Sequence, residues 1–119
     1  MELNQYQFCI MFNKILFNIE KYLDHFNNKH DLDYEIINQM MLISFSKNNK
    51  IIISKQEIHK QIWLANKTNG YHFNYKNNHW ICSKSNKNFW DILTESFYKH
   101  GNETVNFTKL YKQTYNQIL

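Results

Sequence analysis

Residues Ser54–Ala65 read SKQEIHKQIWLA. With a two-residue period, Ile58, Lys60, Ile62 and Leu64 fall on one side of an extended strand, and His59, Gln61, Trp63 and Ala65 on the other. The first set is mostly aliphatic and is expected to face a core. The second leaves the indole of Trp63 beside the amides of Gln56 and Gln61 on the solvated side of a sheet. A large apolar ring among polar neighbours suits docking of a partner. It equally suits cover by a loop or tail of the same chain.

Strand patterns extend on both sides of this stretch. Upstream, Asp31 to Ile36 alternates strictly, with Leu32, Tyr34 and Ile36 expected inward and Asp31, Asp33 and Glu35 outward. Met41 to Phe45 and Lys50 to Ser54 follow, then Ile58 to Asn66, Tyr71 to Tyr75 and His79 to Ser83. Asn48-Asn49, Asn69-Gly70 and Asn77-Asn78 supply residues that tolerate positive φ, and the connections are hairpin-short. The expected sheet is an antiparallel meander.

A helix pattern lies at each end. From Leu3 to about Phe26, apolar residues recur every three or four positions, including Phe8, Phe12, Ile15, Leu16, Ile19 and Leu23. Asn88 is placed to cap a second helix carrying Phe89, Trp90, Ile92, Leu93, Phe97 and Tyr98, which ends near His100-Gly101. This order implies an α+β two-layer sandwich: two roughly parallel helices on one face of an antiparallel sheet of five to six strands, the other face open. The expected domain is 1–107. Residues 108–119 form an extension with Phe107, Leu110, Tyr111, Tyr115 and Ile118 at helical spacing, expected to pack across the seam between the helices.

Composition narrows the function. At 119 residues with 43% hydrophobic content, the chain suffices for one domain with its own core, without disulfides or a structural metal. The net charge of +4 would ordinarily raise nucleic acid as a partner. The basic residues are all lysines, however, spread along an asparagine-rich chain as expected of an AT-rich coding genome, without the arginine that reads bases bidentately. Cys9 and Cys82 form no metal-binding or disulfide pattern and are expected to be reduced and buried in the cytoplasm. No stretch is apolar for long enough to span a membrane. No ordered nucleophile, base and orienting group, and no glycine-rich phosphate loop, supports an enzyme.

The remaining polar constellation is acidic. Glu20 and Asp24 share a helix face one turn apart, and Asp31, Asp33 and Glu35 line one side of the next strand. Glu20 and Asp24 fall in the last turns of the helix, where its dipole disfavours negative charge. Such oxygen ligands suit weakly held Fe(II), Mn(II) or Ca(II), or a basic patch on a partner. They also suit a solvated edge that discourages sheet-to-sheet association. His25 and His30 flank the carboxylates and would add nitrogen ligands, whereas His59, His72 and His79 are expected to be ordinary strand or turn residues.

The run KIIISKQEIHKQIWLANKTNGYHFNYKNNHWICSKSNKNFWDIL, preceded by IEKYLDHFNNKHDLDYEI and followed by GNETVNF, resembles the frataxin family, most closely its bacterial CyaY type. The likeness spans Phe8 to Phe107 and rests on Gln56, Gln61-Ile62-Trp63-Leu64, Gly70-Tyr71-His72-Phe73 and Trp80-Ile81-Cys82 in that order. It implies two helices over an antiparallel sheet and a cytoplasmic, non-enzymatic role in iron-sulfur cluster assembly. Iron (Fe2+/Fe3+) would be held weakly on the acidic ridge, and the partners would be the cysteine desulfurase and the scaffold protein. The implied state is a monomer, with iron-dependent oligomerisation left open. By position, Glu20, Asp24, Asp31, Asp33 and Glu35 match the family's metal-binding carboxylates, and Gln56, Gln61 and Trp63 match its partner surface. Lys21, His25, Asn27 and Lys29 stand where that type usually has acids, which thins the ridge. Ser54 replaces a usual asparagine, and Ile58 stands where proline is common. The alternative from another class is a single-stranded RNA-binding sheet, since Gly70 to Tyr75 loosely echoes an aromatic RNA-binding strand. That fold interrupts its strands with helices, whereas these strands are consecutive.

Overall fold

The computed structural model describes residues 2–25, 32–46, 48–108 and 110. Helix α1 spans Gln5–Asp24, starting after Leu3 because Asn4 caps it. The Asn4 side chain accepts from the Gln7 amide at 2.8 Å, and the Asn4 amide donates to Gln7 Oε1 at 3.0 Å. Such a reciprocal cap is worth about 1 kcal/mol. The expected helical stripe of Phe8, Phe12, Ile15, Leu16, Ile19 and Leu23 is buried, together with Met11.

Six strands follow: β1 (Leu32–Ile37), β2 (Met40–Phe45), β3 (Lys50–Gln56), β4 (Gln61–Ala65), β5 (Gly70–Lys76) and β6 (His79–Cys82). They pair antiparallel in chain order, so the sheet is the meander expected. Its inner face buries Met41, Ile43, Ile51, Ile53, Ile62, Leu64, Phe73 and Trp80. Helix α2 (Phe89–Gly101) is capped by Asn88, whose side chain accepts from the Asp91 amide at 3.0 Å. Both helices meet this inner face. Phe8 of α1 lies 5.9 Å from the Trp80 ring, while Phe89 and Phe97 of α2 lie 5.4 and 5.2 Å from Phe73 and Phe45. Gly101 is required where α2 ends, because a β-carbon there would stand 2.3 Å from the Phe45 ring.

Three local readings need correction. The stretch Ser54–Ala65 is not one strand running from Ile58. Strand β3 continues to Gln56, residues 57–60 turn, and β4 starts at Gln61. Gln56 opposes Gln61, Gln56 Oε1 accepts from the Ile58 amide at 2.9 Å, and Lys60 takes a φ of 52°. Ile58 is therefore at the turn and 80% exposed, not in the core. Ile36, expected inward, is 41% exposed at the far end of the edge strand, away from the buried Leu32. Neither Asn69 nor Gly70 takes positive φ. The β4–β5 loop is held instead by the Asn66 side chain, which accepts from the Thr68 and Asn69 amides at 3.0 and 2.9 Å.

After α2 the chain returns between the helices. Phe107 is fully buried, 5.0 Å from the Tyr22 ring and 4.7 Å from that of Phe97, and Leu110 is buried as well. The positions expected to continue this packing, Tyr111, Tyr115 and Ile118, lie outside the described residues. Among the described residues, no helix is long and apolar enough to cross a membrane.

Candidate functional site

Neither helix packs on the outer face of the sheet, and Trp63 stands near its centre, opposite Ser54 on β3 and His72 on β5. The indole is half-buried. Its Nε1–H donates to Gln61 Oε1 at 2.9 Å, and Gln61 Nε2 donates in turn to Asn74 Oδ1 at 3.2 Å. One ring face lies flat on His72, centroids 4.3 Å apart and planes 12° from parallel. Cross-strand contact with a neighbouring side chain thus covers part of the ring and fixes its orientation. A fixed, partly exposed aromatic with satisfied polar edges costs little further ordering when a partner docks.

The two glutamines do different work. Gln61 orients the indole, whereas Gln56 uses its side-chain oxygen to shape the β3–β4 turn. His72, expected to be an ordinary strand residue, supplies the stacking surface. Its signal was the hairpin register: once β4 and β5 pair through the loop at Asn66–Asn69, positions 63 and 72 must be neighbours.

The carboxylates lie at the other edge. Asp24 is exposed at the end of α1, and its Oδ1 accepts from the Tyr34 hydroxyl at 2.5 Å. The Tyr34 pKa is driven well above the ordinary tyrosine value, first by burial and then by the hydrogen bond and charge of Asp24, with Glu20 adding to both. Glu20 and Asp24 therefore converge on one phenol. Asp33 and Glu35 are exposed and alternate with Tyr34 along β1, which puts them on the opposite face of the edge strand. Asp31 and His30 lie outside the described residues. Among the described residues, no three histidine, cysteine, aspartate or glutamate side chains gather tightly enough to hold a metal ion. The described carboxylates form a divided rim on the two sides of β1, suited to long-range attraction of positive charge.

Comparison with known proteins agrees with this architecture. Residues 1–103 match the model of the frataxin-like domain. The iron-sulfur cluster assembly protein CyaY of Buchnera aphidicola subsp. Acyrthosiphon pisum is 48% identical over 102 residues, covering 86% of this chain and 88% of that protein. The protein of the same name from Buchnera aphidicola subsp. Baizongia pistaciae is 41% identical over 109 residues, covering 92% and 91%. Among solved structures, the frataxin of Psychromonas ingrahamii superposes with a TM-score of 0.79 at 30% identity, covering 88% of this chain and 98% of that one. The trimeric frataxin of Saccharomyces cerevisiae, complexed with ferrous iron, shares the fold with a TM-score of 0.64 at 23% identity, covering 87% and 92%. By the domain match, the identities and the helix-backed meander of strands, this chain belongs to the frataxin family.

Proposed function

We propose that the protein is a non-enzymatic accessory factor of iron-sulfur cluster assembly that docks on the cysteine desulfurase and scaffold complex through its outer sheet face. The observation that carries this reading is the anchored, half-exposed indole of Trp63 on a sheet face that neither helix covers. The names of its relatives support the process, since proteins 41 to 48% identical to it are iron-sulfur cluster assembly proteins. Gln61 and Trp63 make the contact, and Gln56 shapes the turn at its border.

The acidic rim is the second part of the proposal. Glu20, Asp24, Asp31, Asp33 and Glu35 attract Fe(II), held weakly, or a basic surface of the desulfurase. An ion taking both oxygens of Asp24 would displace the Tyr34 hydroxyl from Oδ1, which lowers its affinity. Residues 1–107 are the frataxin-like unit, 108–119 are an extension of it, and the working form is a cytoplasmic monomer that iron can drive to associate.

The test is binding to the desulfurase of the same organism, with and without Fe(II). Binding that Trp63→Arg weakens about thirty-fold and Fe(II) modulates is the expected result. Wild-type binding by Trp63→Arg would overturn the docking face, and indifference to Fe(II) would remove iron from the role given to the rim.

A further inference from the structure

Away from both of these regions, a thiol, an ammonium and a carboxylate meet where α1 crosses β3. The Lys55 side chain is 10% exposed, on the helix-facing side of the sheet. Its ammonium donates to Cys9 Sγ at 3.4 Å, pairs with Glu57 Oε1 at 3.0 Å and stands 6.0 Å from the centre of the Phe12 ring. Cys9 Sγ is itself 4.0 Å from Glu57 Oε1. Burial opposes the charge on Lys55, but its hydrogen bonds to Glu57 and Cys9 outweigh it and hold the pKa above the ordinary lysine value.

An ammonium has three N–H donors. Among the described residues, those of Lys55 meet two acceptors, Cys9 and Glu57, which leaves one donor directed at neither. Gln5 Nε2 donates to the Glu57 carbonyl at 2.8 Å and ties the β3–β4 turn to the start of α1, so the cluster sits on braced backbone. Cys9, expected to be buried, is only half-buried, whereas Cys82 is 3% exposed. Partial exposure beside a cation is the setting in which cysteines react.

We propose that Cys9 is a peroxide-reactive thiol, with Lys55 holding the peroxide and protonating the oxygen that leaves. After the thiol has lost its proton to solvent, the sulfur attacks one oxygen of hydrogen peroxide. The S–O bond forms as the O–O bond breaks, and the electron pair departs on the far oxygen. Lys55 transfers a proton to that oxygen. Thiolate, hydrogen peroxide and ammonium thus become sulfenic acid, water and amine, with sulfur oxidised and peroxide reduced, and the amine is reprotonated by solvent. Glu57 holds the ammonium in place. This inference does not depend on the role in cluster assembly.

The test is peroxide oxidation of the full chain, with sulfenic acid trapped by dimedone and located by mass spectrometry. Cys9 is expected to react about ten-fold or more faster in the native chain than in urea, with Cys82 protected until unfolding. Lys55→Met slows peroxide oxidation by about ten-fold. It slows alkylation by iodoacetamide far less, because iodide leaves without a proton, and Lys55→Arg retains part of the peroxide rate. Native Cys9 reacting no faster than unfolded Cys9 would overturn the proposal without any variant. So would equal slowing of both reagents by Lys55→Met.

Discussion

The outer sheet face and the acidic rim are built on opposite principles. Around Trp63 the polar neighbours are tied to one another: the indole to Gln61, Gln61 to Asn74, and the ring to His72. At the rim, Asp24 is tied to Tyr34, while Asp33 and Glu35 extend into solvent. The first surface is ordered in the free chain, as the proposed docking by shape requires. The second presents a field, and its interactions weaken with distance and salt.

The largest effect expected from this contrast is at the ring. Trp63→Arg should lower desulfurase affinity by about 2 kcal/mol, roughly thirty-fold, measured by titration calorimetry. Its melting temperature should stay within about 5 °C of wild type, since the side chain stands outside the core. A larger thermal loss would make the indole structural and erase the distinction. His72→Ala removes a stacking partner worth about 1 kcal/mol and should weaken binding about five-fold, because Gln61 still anchors the indole edge.

Reversing Asp33 and Glu35 together to lysine should cost about three- to five-fold in affinity at low ionic strength, and nearly nothing at about 0.5 M salt. A salt-independent loss would mean that these carboxylates make fixed contacts, as Trp63 does. The smallest effect concerns Tyr34. Its pKa is raised in the folded protein, so its contribution is complete below the ordinary tyrosine pKa and is lost as pH rises through the folded value. Tyr34→Phe should therefore flatten the alkaline fall of melting temperature above about pH 10 and change little at neutral pH. An unchanged alkaline slope would show that the phenol and Asp24 are not coupled.

Much of the scaffold is legible from periodicity. Ile51 with Ile53 and Ile62 with Leu64 alternate as a half-buried sheet requires, and the helical stripe from Phe8 to Leu23 needs no tertiary information. The β3–β4 turn is not legible. Residues 57–60 contain no glycine, asparagine or proline, and Ile58 extends an aliphatic alternation that the backbone does not follow. That turn is fixed by the pairing of Gln56 with Gln61, which is a property of two strands. The same holds for the site. Trp63, Gln56 and Gln61 can be singled out by residue type, but the stack on His72 and the bond from Tyr34 to Asp24 exist only once register and helix docking are set.

Eight described residues adopt positive φ; six are asparagines, and neither glycine is among them. Asn38 and Asn77 make hairpin bends that glycine would make without a side-chain clash, at a saving of up to about 1 kcal/mol per bend, whereas Asn78 also accepts from the Tyr75 hydroxyl at 3.1 Å. The fold thus carries a distributed steric burden at its corners, away from its buried core. Its resistance to heat is therefore open to adjustment at the bends, where single substitutions leave Trp63 and the rim carboxylates untouched.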